Sequence, residues 1–66
     1  MTDLAVIHES LINGQRRQMA DQIDEYGLYD FWEAMSKYLM GIYPAPSLAY
    51  SAYTDIVASY HRIRNR

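Results

Sequence analysis

Three carboxylates in the second quarter of the chain have the clearest spacing for chemistry. Asp21, Asp24 and Glu25 follow one another at i, i+3 and i+4, so in a helix all three lie on one face. Carboxylates placed in this way can ligate a divalent cation, but nothing near them in the sequence supplies the remaining ligands. We therefore predict no metal and no cofactor, and expect an ion pair between Arg17 and Asp21 instead.

Tyrosine supplies much of the remaining polar chemistry. Seven of the 66 residues are tyrosine, a side chain that is enriched in interfaces because it joins a large apolar body to a polar tip. The sequence has no cysteine nucleophile, no glycine-rich phosphate loop and no spacing that suggests a Ser-His-Asp triad. We therefore expect a protein that is not an enzyme and that acts by contact with another macromolecule.

The charges are unevenly distributed along the chain. Residues 1–60 carry eight acids against three bases, and residues 61–66 carry three arginines and no acid. An acidic body with a short basic tail has neither the dense acidity of a DNA mimic nor the basic face of a non-specific DNA binder. With no signal peptide, no membrane span and no cysteine, we expect a cytoplasmic protein that makes no membrane contact.

Apolar periodicity predicts the elements that position these side chains. The predicted helices cover about 3–13, 15–26, 28–43 and 47–64. Asn13-Gly14 and Gly27 are typical helix ends, Pro44 stops the third helix, and Ser47 is the expected N-cap of the fourth. No segment shows the alternation of a strand. The predicted fold is all-α, a compact bundle of three to four short helices that forms a single domain over residues 1–66.

The helical wheel divides the aromatic residues into two groups. Three tyrosines fall within apolar stripes and are predicted to belong to the core: Tyr38, Tyr53 and Tyr60. By contrast, Tyr29, Met40 and Tyr43 point away from the apolar stripe of the third helix. We interpret these three residues as a recognition face for a protein partner. The alternative is that the first helix packs there and buries them.

Basic and amide side chains at the start of the second helix support an alternative function. They are Gln15, Arg16, Arg17 and Gln18, and a helix-turn-helix protein uses such residues at this position to read bases and phosphates. The tail arginines Arg62, Arg64 and Arg66 would add phosphate contacts, or would form a frayed, solubilising end. The carboxylates over 21–25 repel a phosphate backbone, so a solvated face is the competing interpretation.

Residues 9–18 (ESLINGQRRQ), followed by Gln22-Ile23 and Tyr26-Gly27, carry a resemblance. They resemble the opening helical hairpin of small uncharacterised proteins carried by phages, prophages and plasmids. The resemblance covers roughly residues 9–32 and brings no functional residue with it. It implies a context in which small acidic proteins bind and block a host protein, as anti-CRISPR proteins do.

In that context the acidic body would face a basic groove of the target. The charged contacts would be Asp21, Asp24, Glu25, Asp30 and Glu33. Our leading hypothesis is a non-enzymatic interaction module of a mobile genetic element, most concretely an anti-CRISPR-like inhibitor of a host defence complex in a bacterial cytoplasm. Its partner would be a host or phage protein, such as one in a nucleic-acid-binding complex.

Two alternatives remain open at this stage. One is a small helix-turn-helix-like DNA-binding regulator that uses the basic residues named above. The other is a structural helical homodimer in which the last helix pairs with its own copy. The residues of that predicted seam are Ala49, Ala52, Tyr53 and Tyr60.

Overall fold

The computed structural model describes residues 2–65, which fold into four helices without any strand in that range. The helices are α1 (Leu4–Ile12), α2 (Arg16–Tyr26), α3 (Leu28–Ile42) and α4 (Pro46–Arg64). The predicted all-α bundle is confirmed, and every helix end lies within one residue of its predicted limit. Within the described range, no helix is both long enough and apolar enough to cross a bilayer.

Local signals account for the first three helices. The Asp3 carboxylate accepts a hydrogen bond from the backbone N–H of Val6 at 3.0 Å and caps α1. Gly14 and Gly27 have φ angles of +73° and +113°, in the region that favours glycine. Gly27 alone separates α2 from α3, so the chain changes direction there without a longer loop.

The start of α4 differs from the prediction. Ser47 was the expected N-cap, but Ala45 occupies that position and Pro46 is the first helical residue. Proline suits the first helical turn because its fixed φ is already helical and its missing N–H has no partner to lose there. The N-cap therefore lies two residues before Ser47, and the helix begins one residue before its predicted limit.

α2 and α3 each pack against both α1 and α4, and the core lies between these four helices. All four helices contribute to it, with Ile7, Leu11, Met19, Ala20, Ile23, Phe31, Met35, Leu39, Ala49, Ile56 and Tyr60 buried. The core prediction is confirmed for Tyr60, while Tyr38 and Tyr53 are half-buried and pack against this cluster.

The predicted homodimer seam is used within the protomer. Ala49 and Tyr60 are buried in the protomer's own core, and Ala52 and Tyr53 are half-buried against it. Ala49 and Tyr60 therefore have little surface left for a second copy of α4. The homodimer stays a prediction, but these two residues are occupied within the protomer.

We expect the substitution Phe31→Ala to unfold the protein or leave it only marginally stable. Phe31 is completely buried, and removing a buried phenylalanine ring costs about 3–5 kcal/mol, which is a large part of the stability of so small a domain. Urea denaturation followed by circular dichroism measures the loss. Tyr29→Ala is the matched control, because this aromatic residue on the same helix is fully exposed and its loss should change stability by less than about 0.5 kcal/mol.

Candidate protein-binding surface

An ionic cluster joins the last turn of α4 to α2. Arg64 Nη2 lies 2.7 Å from Asp21 Oδ1 and 2.8 Å from Asp24 Oδ2, and Arg64 Nε donates to the same Asp24 oxygen at 2.9 Å. The Tyr60 hydroxyl donates to Asp24 Oδ1 at 2.5 Å, and the Arg64 guanidinium lies 5.7 Å from the centre of the Tyr60 ring. Burial, together with the hydrogen bond and charge of Asp24, raises the pKa of Tyr60.

This cluster corrects two expectations. The partner of Asp21 is Arg64 rather than Arg17, because α4 packs alongside α2 and brings a guanidinium that reaches both carboxylates at once. The chain also stays helical through Arg64, the predicted limit of the fourth helix, so the alternative of a frayed end is wrong up to that residue. Asp21 and Asp24 therefore share an internal partner, and their contact with another protein stays a prediction.

A second polar connection holds the other end of α2 to α4. Arg16 Nε donates to the Ser59 hydroxyl at 3.0 Å, and Arg16 Nη2 lies 3.6 Å from Asp55 Oδ1. Ser59 is buried, and its hydroxyl lies 3.4 Å from the same carboxylate. Arg16 is thus oriented toward α4, away from the exposed end of α2 that a DNA reader would present.

The remaining candidates for nucleic-acid binding are dispersed. Gln15, Arg17 and Gln18 are exposed around the start of α2, and Arg62 is exposed near the end of α4. Arg66 lies outside the described residues. Because Arg16 and Arg64 already have carboxylate partners, the described part of the chain does not gather these cations into one basic face.

The other predicted acidic contacts belong to different surroundings. Glu25 accepts a hydrogen bond from the Thr2 hydroxyl, which fastens the start of the chain to α2. Glu33 lies 3.8 Å from Lys37, four residues further along α3, and Asp30 is exposed in the first turn of the same helix. Only Asp30 and Glu33 share a helix with the predicted recognition face.

Tyr43 is covered by α1, as the alternative interpretation of its position predicted. Its hydroxyl lies 2.8 Å from His8 Nε2, and the two rings meet edge to face with centroids 5.6 Å apart. His8 also contacts Tyr38 edge to face, so α1 covers this side of α3. Tyr29 and Met40 remain open, with Tyr29 fully exposed and Met40 59% exposed.

An apolar groove runs between α3 and α4 beside Met40. It has a volume of about 440 Å³ and is lined by Ser36, Met40, Pro46, Ala49, Tyr50 and Tyr53. None of these lining side chains is charged, and Tyr50 is 72% exposed. We call these six residues the α3–α4 groove. An uncharged concave surface with exposed aromatic rings is typical of a protein-binding site.

Aromatic packing continues along the same pair of helices. Trp32 on α3 lies between Tyr53 and Tyr60 of α4, with ring centroids 6.2 and 5.7 Å away. His61 lies parallel to the Trp32 ring at 6.3 Å, with only 12° between the planes. These edge-to-face and stacked contacts hold α3 and α4 at a fixed separation, so the groove between them is a preformed feature of the bundle.

The sequence interpretation missed Tyr50 and Pro46. Tyr50 stands next to Ala49 but on the adjoining side of α4, where the apolar stripe ends, and this off-stripe position was the available signal. Pro46 lies just before the predicted start of the fourth helix and was given no function. In the structure the first turn of α4 places Pro46 in the same groove as Tyr50 and Met40.

Comparison with protein-family models, curated proteins and solved structures gave no match to this chain. Over residues 2–65, no three histidine or carboxylate side chains are grouped in a way that could hold a metal ion. The case for a function therefore depends on the surface geometry described above.

We expect Arg64→Ala to destabilise the protein more than Arg62→Ala. Both substitutions remove one arginine from the last turn of α4, but only Arg64 bridges two carboxylates of α2. Urea midpoints measured at low salt and at about 1 M salt, where charges are screened within about 3 Å, separate the two cases. Equal midpoints for the two variants at low salt would show that the cluster adds nothing to stability.

We expect acid to destabilise the protein in part through His8. Burial lowers the pKa of His8 below its usual value of 6.5, so between the two values the unfolded chain binds more protons than the folded one. Stability should therefore fall as the pH drops below the usual histidine pKa of 6.5, until the folded state is protonated as well. His8→Gln keeps a polar partner for Tyr43 but does not titrate, so urea midpoints of this variant should decline less over the same interval.

Proposed function

We propose that this chain is a non-enzymatic protein-interaction module whose contact surface is the α3–α4 groove. The observation that carries this proposal is the open, uncharged groove of about 440 Å³ between α3 and α4. Its exposed rim residues, Met40 and Tyr50, are side chains that stabilise interfaces well, because each buries a large apolar area on contact. Tyr29 extends the same side of α3 and is fully exposed.

The charge arrangement favours a protein partner over nucleic acid. A DNA-binding surface depends on cations aimed at phosphates, whereas Arg16 and Arg64 are aimed at Asp55, Asp21 and Asp24. The groove contributes no cation to replace them. Within residues 2–65, the predicted DNA-binding cations without a carboxylate partner are Arg17 and Arg62, which belong to different helices.

The most concrete form of the proposal is an inhibitor of a host defence complex. A small acidic helical protein that covers a functional surface of a larger target would act as anti-CRISPR proteins do, in the cytoplasm of a bacterial host. The support for this form is the resemblance of residues 9–32 to small proteins of mobile elements and the excess of acids over bases in residues 1–60. Inhibition would follow from occlusion, since no catalytic group is needed.

The test is an affinity pull-down from bacterial lysate, with and without nuclease, using matched variants. Met40→Ala combined with Tyr50→Ala should weaken capture of the partner by about 2 kcal/mol or more, roughly thirtyfold, because both rim residues lose their contact area. Ile12→Ala is the control, since Ile12 is an apolar residue on α1 that is 66% exposed and does not line the groove.

The proposal requires a stoichiometric protein that resists nuclease and is lost only with the groove variant. A protein captured equally well by both variants would contradict the assignment of the groove. Nucleic acid that is recovered without nuclease and lost with Arg17→Ala and Arg62→Ala would contradict the protein-interaction function and favour the DNA-binding alternative.

A further inference from the structure

One exposed stripe of α3 extends the α3–α4 groove toward the start of that helix. Tyr29, Glu33, Ser36 and Met40 recur at i, i+4, i+7 and i+11, so they share one helix face, and all four are exposed. The stripe is about 16 Å long, or three helical turns. Ser36 and Met40 line the groove itself, and Glu33 and Tyr29 continue beyond it.

The second wall of the groove belongs to an antiparallel helix. Only Tyr43, Pro44 and Ala45 separate α3 from α4, and so short a connection places neighbouring helices antiparallel. Pro46, Tyr50 and Tyr53 face the α3 stripe from this side. A channel between two packed helices accepts a third helix in the way that recognition grooves hold amphipathic helices.

The two ends of the stripe differ in charge. The Met40 end has only uncharged lining residues, while the other end carries Glu33 and the adjoining Asp30. Lys37 lies 3.8 Å from Glu33, but both side chains are about 80% exposed, so this pair is weak and easily exchanged. Asp30 has no ion-pair partner within residues 2–65.

We propose that the occupant of the groove is a basic amphipathic helix of the partner protein. One apolar side chain would fill the space beside Met40 and Tyr50, and a lysine or arginine about two turns away would face Glu33 and Asp30. The seven residues from Glu33 to Met40 set that separation at about 10 Å. This inference rests on the proposed function, because it names the kind of partner that the same groove would bind.

Two synthetic peptides test the proposed occupant. Each is about 18 residues long, or five helical turns, with leucines at i, i+3 and i+7. One carries lysines about two helical turns from the first leucine, and the other carries glutamates at the same positions. Fluorescence anisotropy at low salt should show the lysine peptide binding about tenfold or more tightly than the glutamate peptide. Amide chemical shifts of the labelled protein should change mainly at Ser36, Met40 and Tyr50.

Paired variants separate a specific contact from general attraction to an acidic protein. Asp30→Asn with Glu33→Gln should weaken binding of the lysine peptide by about fivefold, the effect of two exposed ion pairs. Glu9→Gln with Glu25→Gln changes the net charge equally and lies on α1 and α2, so its effect should stay below about twofold. Circular dichroism confirms that each variant keeps its helices.

Several results would overturn the inference. They are equal binding of the two peptides, equal effects of the two double variants, or chemical-shift changes away from the groove. Sedimentation that shows a dimer of the chain alone, dissociated by Tyr50→Ala, would assign the groove to a second copy.

The pull-down and the peptide titrations together distinguish failure of the helical occupant from failure of the proposed function. Loss of the captured protein with the groove variant, together with failure of both peptides, would retain the contact surface and reject the helical occupant. Peptide binding in the groove without any captured protein would retain the occupant chemistry and contradict the proposed function.

Discussion

The docking of α4 across α2 and α3 is the interaction on which the other features depend. α2 is the most polar of the four helices and presents little apolar surface of its own, so its position depends on contacts with its neighbours. α4 supplies them through the buried Ile56 and Tyr60 and through polar contacts at both ends of α2. Without α4, the core would lose one wall and the groove would not exist.

The same docking determines where charge remains available. Arg16 and Arg64 form ion pairs with carboxylates on a neighbouring helix. Two of the cations proposed for nucleic-acid binding, and two of the acids proposed to steer a partner, therefore have partners within the bundle. On the side of α4 that faces Met40, the α3–α4 groove has no charged lining residue. A surface that is apolar at one end and acidic at the other fits a partner with an apolar anchor and a nearby cation.

The aromatic residues are distributed by the same geometry. Tyr60 is buried, Tyr43 is held by His8, and Tyr53 packs against Trp32 at the base of the groove. Tyr29 and Tyr50 project into solvent. One residue type therefore serves as core, as an internal hydrogen-bonding group and as an exposed contact, depending on which helix lies across from it.

The helices and the fold class follow from signals that act over a few residues of the chain. Gly14, Gly27 and Asp3 act through backbone conformation and hydrogen bonds a few residues away, so their effect can be read locally. Ser47 misled the prediction of α4 because a cap residue and Pro46 compete for the same helix start. Which of the two residues begins α4 depends on the conformation of the connection from α3, and the packing of the two helices determines that conformation.

The contacts between distant side chains depend on how the helices pack. Arg64 and Asp21 are 43 residues apart, and His8 and Tyr43 are 35 apart, so no local spacing could pair them. A helical wheel gives the direction of Tyr29, Tyr43 or Tyr50 relative to its own axis, but not what lies opposite. The packing of the neighbouring helices leaves Tyr29 and Tyr50 exposed and covers Tyr43. This packing is a property of the whole bundle.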